Sequence, residues 1–424
     1  MVTREEPTNE SKPKALKSFD ISKWMVWKAY EKVKANQGAA GVDEESLSDF
    51  EVDLKDNLYK LWNRMSSGSY FPLPVRAVEI PKKAGGVRIL GVPTVADRVA
   101  QTVVAMYLEP EVEPLFHPDS YGYRPGRSAL DAVASCRLRC QKSDWVIDLD
   151  IRAFFDSLDH DLVLRTVSKH TELPWVLLYV KRWLEAPLQH ADGTISARDR
   201  GTPQGSAISP LLANLFLHYA FDMWLSREFP DVSFERYADD AVVHCVSKFQ
   251  AQRVLDAIRQ RLAGLGLELH PDKTRIVYCK DANRRGDHDH VSFDFLGYTF
   301  RRRAVRSKAG KVFDGFAPAI SDTAAKAVRQ QIRRWRLHHR SESSLMDLAK
   351  RINPIVRGWI NYYGRFYRSW LSRSLVRINE YLVRWAQRKY KRLNNHPSRS
   401  WRWLEGVARR SPALFAHWQI GVLP

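Results

Sequence analysis

Phe234-Glu-Arg-Tyr-Ala-Asp-Asp-Ala-Val-Val-His-Cys-Val246 is the stretch on which the fold turns. Its flanks are apolar and β-branched, as strands prefer, yet Asp239 and Asp240 stand side by side in the middle. Successive strand residues point to opposite faces, so two adjacent carboxylates can serve one site only if they occupy a turn. The stretch therefore reads as two strands joined at Ala238-Asp239-Asp240, with an exposed surface hairpin as the ordinary alternative. A second acidic intrusion, Asp148-Leu-Asp150, lies in the apolar run 145–151, with Asp156 and Asp159 shortly after. Carboxylates in such strands cost several kcal/mol of desolvation unless they are paired or bind a metal. Mg²⁺ prefers oxygen ligands, and two ions about 3.5–4 Å apart can serve both the attacking and the leaving oxygen of a displacement at phosphorus.

Outward from these strands, residues 210–225 form an apolar helix candidate, and helical periodicity runs through 21–34, 47–66 and 94–108. Val75-Arg-Ala-Val-Glu-Ile80 alternates, Lys82-Lys-Ala-Gly-Gly86 turns and Val87-Arg-Ile-Leu90 returns, which predicts an extended hairpin. Further strands are expected at 275–279 and 293–300. From Ile320 onward the pattern is helical, broken at Asn353-Pro354 and at Asn394-Asn-His-Pro397. The chain thus divides into a mixed α/β body to about residue 305 and a helical region after it.

Charge separates the same two parts. Residues 301–424 carry 28 Lys and Arg against 6 Asp and Glu, a net of +22. The first 300 residues hold 39 basic and 42 acidic side chains, a net of −3, so the whole excess of +19 lies in the helical region. Seven of the 14 tryptophans lie there too: Trp335, Trp359, Trp370, Trp385, Trp401, Trp403 and Trp418. Basic residues interleaved with aromatics suit nucleic acid, while a solvated helical region with an ordinary aromatic core explains the aromatics but not the charge. No run of apolar residues is long enough for a membrane span. The polar N-terminus lacks a secretory signal and reads as a mobile tail, pointing to a cytoplasmic protein. Cys136 and Cys140 share a helix face, but no second Cys or His pair follows at zinc-finger spacing. With Cys245 and Cys279 they read as buried free thiols.

Several blocks, taken in order, resemble the reverse transcriptases encoded by group II introns. They are Asn36-Gln-Gly-Ala-Ala-Gly-Val-Asp43, Ile80-Pro-Lys-Lys83 through Gly86-Val-Arg-Ile-Leu-Gly-Val-Pro-Thr94, Phe116, and Ser120-Tyr-Gly-Tyr-Arg-Pro-Gly-Arg-Ser128. Asp150-Ile-Arg-Ala-Phe-Phe-Asp156 follows with Asp159-His160, then Gly201-Thr-Pro-Gln-Gly-Ser-Ala-Ile-Ser-Pro-Leu211 and Tyr237-Ala-Asp-Asp240. Leu267-Glu-Leu-His-Pro-Asp-Lys-Thr274, Phe295-Leu-Gly-Tyr298 and Ile352-Asn-Pro-Ile-Val-Arg-Gly-Trp-Ile-Asn-Tyr-Tyr363 complete the series.

The resemblance implies an α+β right-hand polymerase, with fingers and palm built on antiparallel sheet, followed by an all-α basic thumb or maturase domain. The expected divisions are a tail over 1–20, fingers and palm over 21–305, thumb over 306–390 and a short basic nucleic-acid-binding segment over 391–424. For that last segment, a basic helix pair packed on the thumb is the alternative. The activity implied is RNA-directed DNA polymerisation of intron RNA into cDNA, together with a maturase role in splicing. A domesticated polymerase of host defence and a non-enzymatic RNA-binding splicing factor are the rival readings. An HNH endonuclease with paired cysteines is expected to be absent. Implied partners are group II intron RNA, an RNA template with a DNA primer, target DNA and deoxynucleoside triphosphates, with no membrane and a bacterial, cytoplasmic setting.

Site residues follow from the resemblance position by position. Asp150, Asp239 and Asp240 would be the catalytic carboxylates holding two Mg²⁺ ions, with the Ile151 carbonyl as a backbone ligand and Asp148 a structural or solvated acid. Phe155 would exclude a 2′-hydroxyl, Phe154 being the core alternative, and Gln204 would support the nucleotide. Lys82 and Arg88 would hold the triphosphate, Lys83 being the neighbour that could take the place of Lys82. Lys273 would protonate the leaving pyrophosphate, with a salt bridge as the alternative. Gly297 resembles a primer-grip turn, and Tyr121, Tyr123 and Arg124 would touch template or the fingers core.

Overall fold

The computed structural model describes residues 18–81, 86–306 and 310–424. The expected mobile tail therefore lies outside the described residues up to residue 17, as does the hairpin turn at 82–85. In chain order the strands are β1 Val75–Pro81, β2 Val87–Val92, β3 Trp145–Asp150, β4 Leu188–Gln189, β5 Ile195–Ser196 and β6 Ser233–Tyr237. They continue with β7 Asp240–Cys245, β8 Arg275–Tyr278, β9 Ser292–Phe295, β10 Tyr298–Arg306 and β11 Val312–Ile320.

The chain folds into two compact units that exchange the polypeptide several times. The first comprises 18–117, Arg152–Trp224 and Arg261–Glu268. Its helix Lys23–Asn36 buries Val26, Ala29, Tyr30 and Val33, a three-to-four spacing that gives one apolar face. The expected helix over 47–66 is two, Leu47–Val52 and Leu54–Ser66, because Asp53 leaves helical geometry at φ −114°, ψ 39°. β1 and β2 pair antiparallel with Ile80 opposite Arg88, and the sheet order is β2-β1-β4-β5. Thr94 caps the next helix, Val95–Val112, by accepting from the Asp97 amide. The apolar run 210–225 is helical throughout but not regular. Ser209–Leu217 widens into a π turn at His218–Asp222 before Met223–Glu228.

The second unit comprises Pro118–Ile151, Leu225–Gln260 and Leu269–Pro424. The divisions expected near 305 and 390 both fall inside it. Its main sheet has the order β6-β7-β3-β8, antiparallel throughout. The helix Ala129–Arg139, started by a Ser128–Asp131 capping box, shares one buried cluster with Val146, Val242 and Val277 of that sheet. The stretch 293–300, expected as one strand, is a hairpin: β9 reverses into β10 at Leu296-Gly297, with φ +49° and +78°. Two positive φ values suit a two-residue hairpin turn whose twist matches its strands. β11, which sequence periodicity did not reveal, completes this second sheet.

The helical region follows as Asp322–Arg334, Leu345–Lys389 and Pro397–Arg410. Asn353-Pro354 does not break it. Ile352 and Val356 are fully buried on either side, and Asn353 bonds the Leu414 carbonyl and the Ala416 amide at 2.9 Å each. That anchoring outweighs the one backbone hydrogen bond a proline forfeits. The long helix kinks instead at Tyr367, φ −143°, ψ 75°. Trp335, Trp385 and Trp418 are core residues, with Trp359, Trp401 and Trp403 packed against the same cluster. Segment 391–424 adds Leu393, Leu404, Phe415 and Trp418 to that core. Trp370 packs against the cluster too, and the guanidinium groups of Arg301, Arg303 and Arg373 lie 5.3, 4.8 and 4.0 Å from its ring centroid. Among the described residues, no helix is long and apolar enough to cross a membrane.

Candidate active site

The carboxylates gather at one end of the main sheet of the second unit. Asp150, the last residue of β3, stands directly opposite Asp240, the first of β7. Paired residues in an antiparallel ladder share a face, so Asp150, Asp240 and Asp148 point the same way. Tyr237 pairs with Asp240, leaving Ala238-Asp239 as a two-residue turn. The hairpin expected from sequence thus brings Asp239 to the same edge as Asp150 and Asp240. Asp150 is fixed by its own backbone: its carbonyl accepts from the His270 amide at 2.8 Å, and its amide faces Thr274 Oγ1 at 3.4 Å. Ile151, next along, is buried and bridges Leu269.

The electrostatics show a deficit of positive charge. Lys273 Nζ lies 2.8 Å from Asp150 Oδ2, and Arg275 lies 3.4 Å from Asp148 Oδ2. Burial first, then repulsion from Asp239, Asp150 and Asp148, pushes the Asp240 carboxyl up to about 7 against the pull of Lys273. Asp240 keeps contact with solvent, so water screens part of that cost. Burial likewise raises Asp148 to about 6, Arg275 opposing. Oxygen-only donors that repel one another and resist ionisation are a fitting host for a hard divalent cation.

A buried arginine holds the turn. Arg236, 1% exposed, donates to the Ala238 carbonyl at 3.0 Å and to Ser120 Oγ at 2.8 Å. Its backbone pairs with the segment before it: Tyr121 N–H donates to Arg236 O at 2.8 Å and Arg236 N–H to Asp119 O at 2.9 Å. Ala238 sits in the left-handed region at φ +57°, a strain of roughly 1–3 kcal/mol that such contacts must hold in place. Gly122 lets this segment approach, since a Cβ there would lie 2.4 Å from Ala238 N. Tyr121 is buried and Arg124 donates to the Ser120 carbonyl at 2.8 Å, so both belong to this support. Sequence reading missed Arg236, because its strand, Ser233-Phe-Glu-Arg-Tyr237, also carries Ser233 and Glu235 and gives the cation no contrast.

The Leu296-Gly297 turn is clamped to the long helix. The Tyr362 hydroxyl donates to the Leu296 carbonyl at 2.8 Å, Tyr298 Oη donates to the Tyr362 carbonyl, and a Cβ on Gly297 would touch the Tyr363 ring at 3.4 Å.

Other expected site residues belong to the first unit. Phe154 and Phe155 open a short helix, Phe154–Ser157. Phe154 is 1% exposed and packs on Phe216, whereas Phe155 is 8% exposed. The Gly201–Gly205 loop is bound to this helix: Thr202 N–H donates to Phe155 O, and Gly201, at φ +80°, lies so close to the Asp156 backbone that a Cβ would meet it at 2.8 Å. Gln204 Nε2 is 3.4 Å from Asp156 Oδ1, and its carbonyl accepts from Gly91 N–H at 2.9 Å. Arg88 is exposed on β2, two positions from its end of the hairpin, and Lys82 lies outside the described residues.

Two sequence families match this arrangement. Residues 80–300 match the family described as reverse transcriptase (RNA-dependent DNA polymerase), and residues 325–403 match the group II intron maturase-specific domain. The chain is 31% identical to Protein YkfC of Escherichia coli (strain K12), over 64% of this chain and 78% of that protein. It is 32% identical to Group II intron-encoded protein LtrA of Lactococcus lactis subsp. cremoris, over 80% of this chain and 68% of that one. A putative COX1/OXI3 intron 1 protein of Saccharomyces cerevisiae is 30% identical over 52% of this chain and 26% of its own length. The family depends on divalent metal ions, which the carboxylate edge is suited to hold. With the paired aspartates at the end of an antiparallel sheet and a basic helical region after it, the chain belongs to the reverse transcriptases of group II introns, an RNA-directed DNA polymerase joined to a maturase-specific domain.

Proposed function

We propose that Asp150, Asp239 and Asp240 hold two Mg²⁺ ions and that the chain extends a DNA primer on its own intron RNA, which it also helps to splice. The observation that carries this reading is the pairing of Asp150 with Asp240 across β3 and β7, where burial and then the carboxylate neighbours raise the Asp240 carboxyl. Bound there, Mg²⁺ would supply charge to activate a primer 3′-hydroxyl and to stabilise the leaving oxygen. Lys273, 2.8 Å from Asp150, would give up that carboxylate and offer its proton to the departing pyrophosphate. Arg88, with Lys82, would bind triphosphate oxygens, the arginine through its planar fork. Phe155 would exclude a 2′-hydroxyl by bulk, and Gln204 would orient the deoxynucleotide. The basic exterior around the tryptophan core would bind structured intron RNA and target DNA through phosphates.

Primer extension on an RNA template with Mg²⁺ and deoxynucleotides, comparing wild type with Asp239→Ala, tests the polymerase reading. Extension by the wild type alone is expected; equal extension by both would remove Asp239 from the metal site. For the maturase role, splicing of the parent intron at moderate Mg²⁺ should accelerate when the protein is added. An unchanged splicing rate would refute it.

A further inference from the structure

The sheet face that carries the aspartates at one end carries a different cluster at the other. Val146 and His244 pair directly, on the same face as Asp148–Val242 and Asp150–Asp240. Asp240 and His244 are four residue steps apart along β7, roughly 13 Å of strand. Around His244 the fold collects three cysteines from two other places: Cys136 and Cys140 from the helix Ala129–Arg139 and its cap, and Cys279 just past β8. All three are fully buried, and His244 is 3% exposed.

We infer that Cys136, Cys140, Cys279 and His244 form a structural site for a soft divalent cation, zinc foremost. One pair of the set already has the spacing zinc requires. Tetrahedral coordination at about 2.3 Å per sulfur sets ligand sulfurs about 3.8 Å apart. Cys136 Sγ and Cys140 Sγ are 4.0 Å apart, and Cys140 sits beside both Cys279 and His244. One ligand atom each of Cys136, His244 and Glu235 lies within 4.8 Å of the other two, so Cys140 and Cys279 must rotate inward for all four proposed ligands to meet one ion.

His244 is also set up as metal-binding histidines are. Its Nε2 is 2.6 Å from Glu235 Oε2, whose other oxygen accepts from Arg139 at 2.6 Å. A carboxylate on one ring nitrogen fixes the tautomer and leaves the other nitrogen as the ligand. That other atom, Nδ1, is buried without a hydrogen-bond partner. Three thiolates and one Zn²⁺ would carry a net charge of −1, and two cations flank the cluster. Arg139 binds Glu235, and Arg284 donates to the Cys140 carbonyl at 2.9 Å. Zinc there would tie the covering helix to β7 and to the end of β8, beneath the sheet that presents the aspartates. Because its ligands come from separate segments, the site has no zinc-finger spacing to read.

The test is the metal content of the full chain, purified without chelators and checked for native fold by circular dichroism. About one zinc per chain is expected. Growth with Co²⁺ in place of zinc should give the intense near-ultraviolet band of thiolate-to-cobalt charge transfer. Asp239→Ala should keep both signals, and Cys245→Ser, on the opposite sheet face, should keep them too. Cys279→Ser should lower zinc content at least about tenfold. A folded wild type with less than about 0.1 zinc per chain and no thiolate–cobalt band would overturn the inference, whatever the variants do. Cobalt bound without that band would mean the aspartates alone bind metal, which overturns it equally and leaves the polymerase reading untouched.

Discussion

Lys273 Nζ lies 2.8 Å from Asp150 Oδ2, so an ammonium group occupies the carboxylate that the proposed catalytic cation would need. The pair is accessible to water, with the lysine side chain 60% exposed, and such pairs contribute roughly 0.2–1 kcal/mol. A cation that displaces the lysine must overcome that amount. Lys273→Gln is therefore expected to lower the Mg²⁺ concentration giving half-maximal extension by about 1.5- to 5-fold while also lowering the maximal rate. A raised Mg²⁺ requirement would show that the lysine assists cation binding rather than competing with it.

Asp240 links the proposed metal site to pH. Its folded-state value, about 7, stands above the ordinary 3.8. Between those values the folded state holds more protons than the unfolded chain, so the contribution is stabilising at low pH and is lost as pH rises through about 7. Metal-free Asp240→Asn should gain in Tm relative to wild type as pH climbs across that interval, and Mg²⁺ should close the gap. A difference in Tm independent of pH would contradict this account.

Arg236 bridges Ala238 and Ser120 with two separate nitrogens, which a lysine cannot do. Losing one charge-assisted hydrogen bond costs about 1.5–3 kcal/mol, so turnover of Arg236→Lys should fall roughly 10- to 150-fold. Affinity for RNA should stay close to wild type, since the residue is buried. Wild-type turnover in this variant would show that the turn holds its shape unaided.

Tyr362→Phe removes the donor to the Leu296 carbonyl while keeping the ring. If the Leu296-Gly297 turn grips primer, the variant should raise the KM for primer–template by about 2- to 12-fold, from a hydrogen bond of about 0.5–1.5 kcal/mol. Deoxynucleotide KM should not move. An effect on the nucleotide alone would assign the turn elsewhere.

The +22 region makes a further claim on salt. Six or more phosphate contacts would give a slope of log K against log[salt] of about −4 or steeper, at roughly 0.7 per phosphate on single strands. A shallow slope in RNA binding by the full chain would show that the charge does not face nucleic acid.

Much of this was legible in the sequence, for reasons that also mark where legibility stopped. Acids inside the apolar runs at 145–151 and 234–246 announced a hairpin and its partner strand, because nothing but a turn or a cation makes them tolerable there. β11 was hidden because Gly315 and Pro318 look like loop residues, and only pairing with β10 makes them strand. Pro354 suggested a break that burial of Ile352 and Val356 overrides. Arg236 and the cysteine–histidine cluster depend on contacts between segments far apart in sequence, which local pattern cannot encode. The tryptophans around residue 385 looked available for stacking on bases, yet all seven are in or packed against the core, Trp370 with arginines over its ring as well.

The way the two units share the polypeptide has a practical consequence for chimeras. A fragment ending at residue 260 has β3, β6 and β7 but lacks β8, which borders β3, and lacks the Arg261–Glu268 piece of the first unit. Neither unit is complete in it, so truncation at 260 leaves no intact unit to assay. A graft that exchanges the basic helices between relatives should be joined after Ile320, past the last strand, and not at Glu268, where the first unit happens to close.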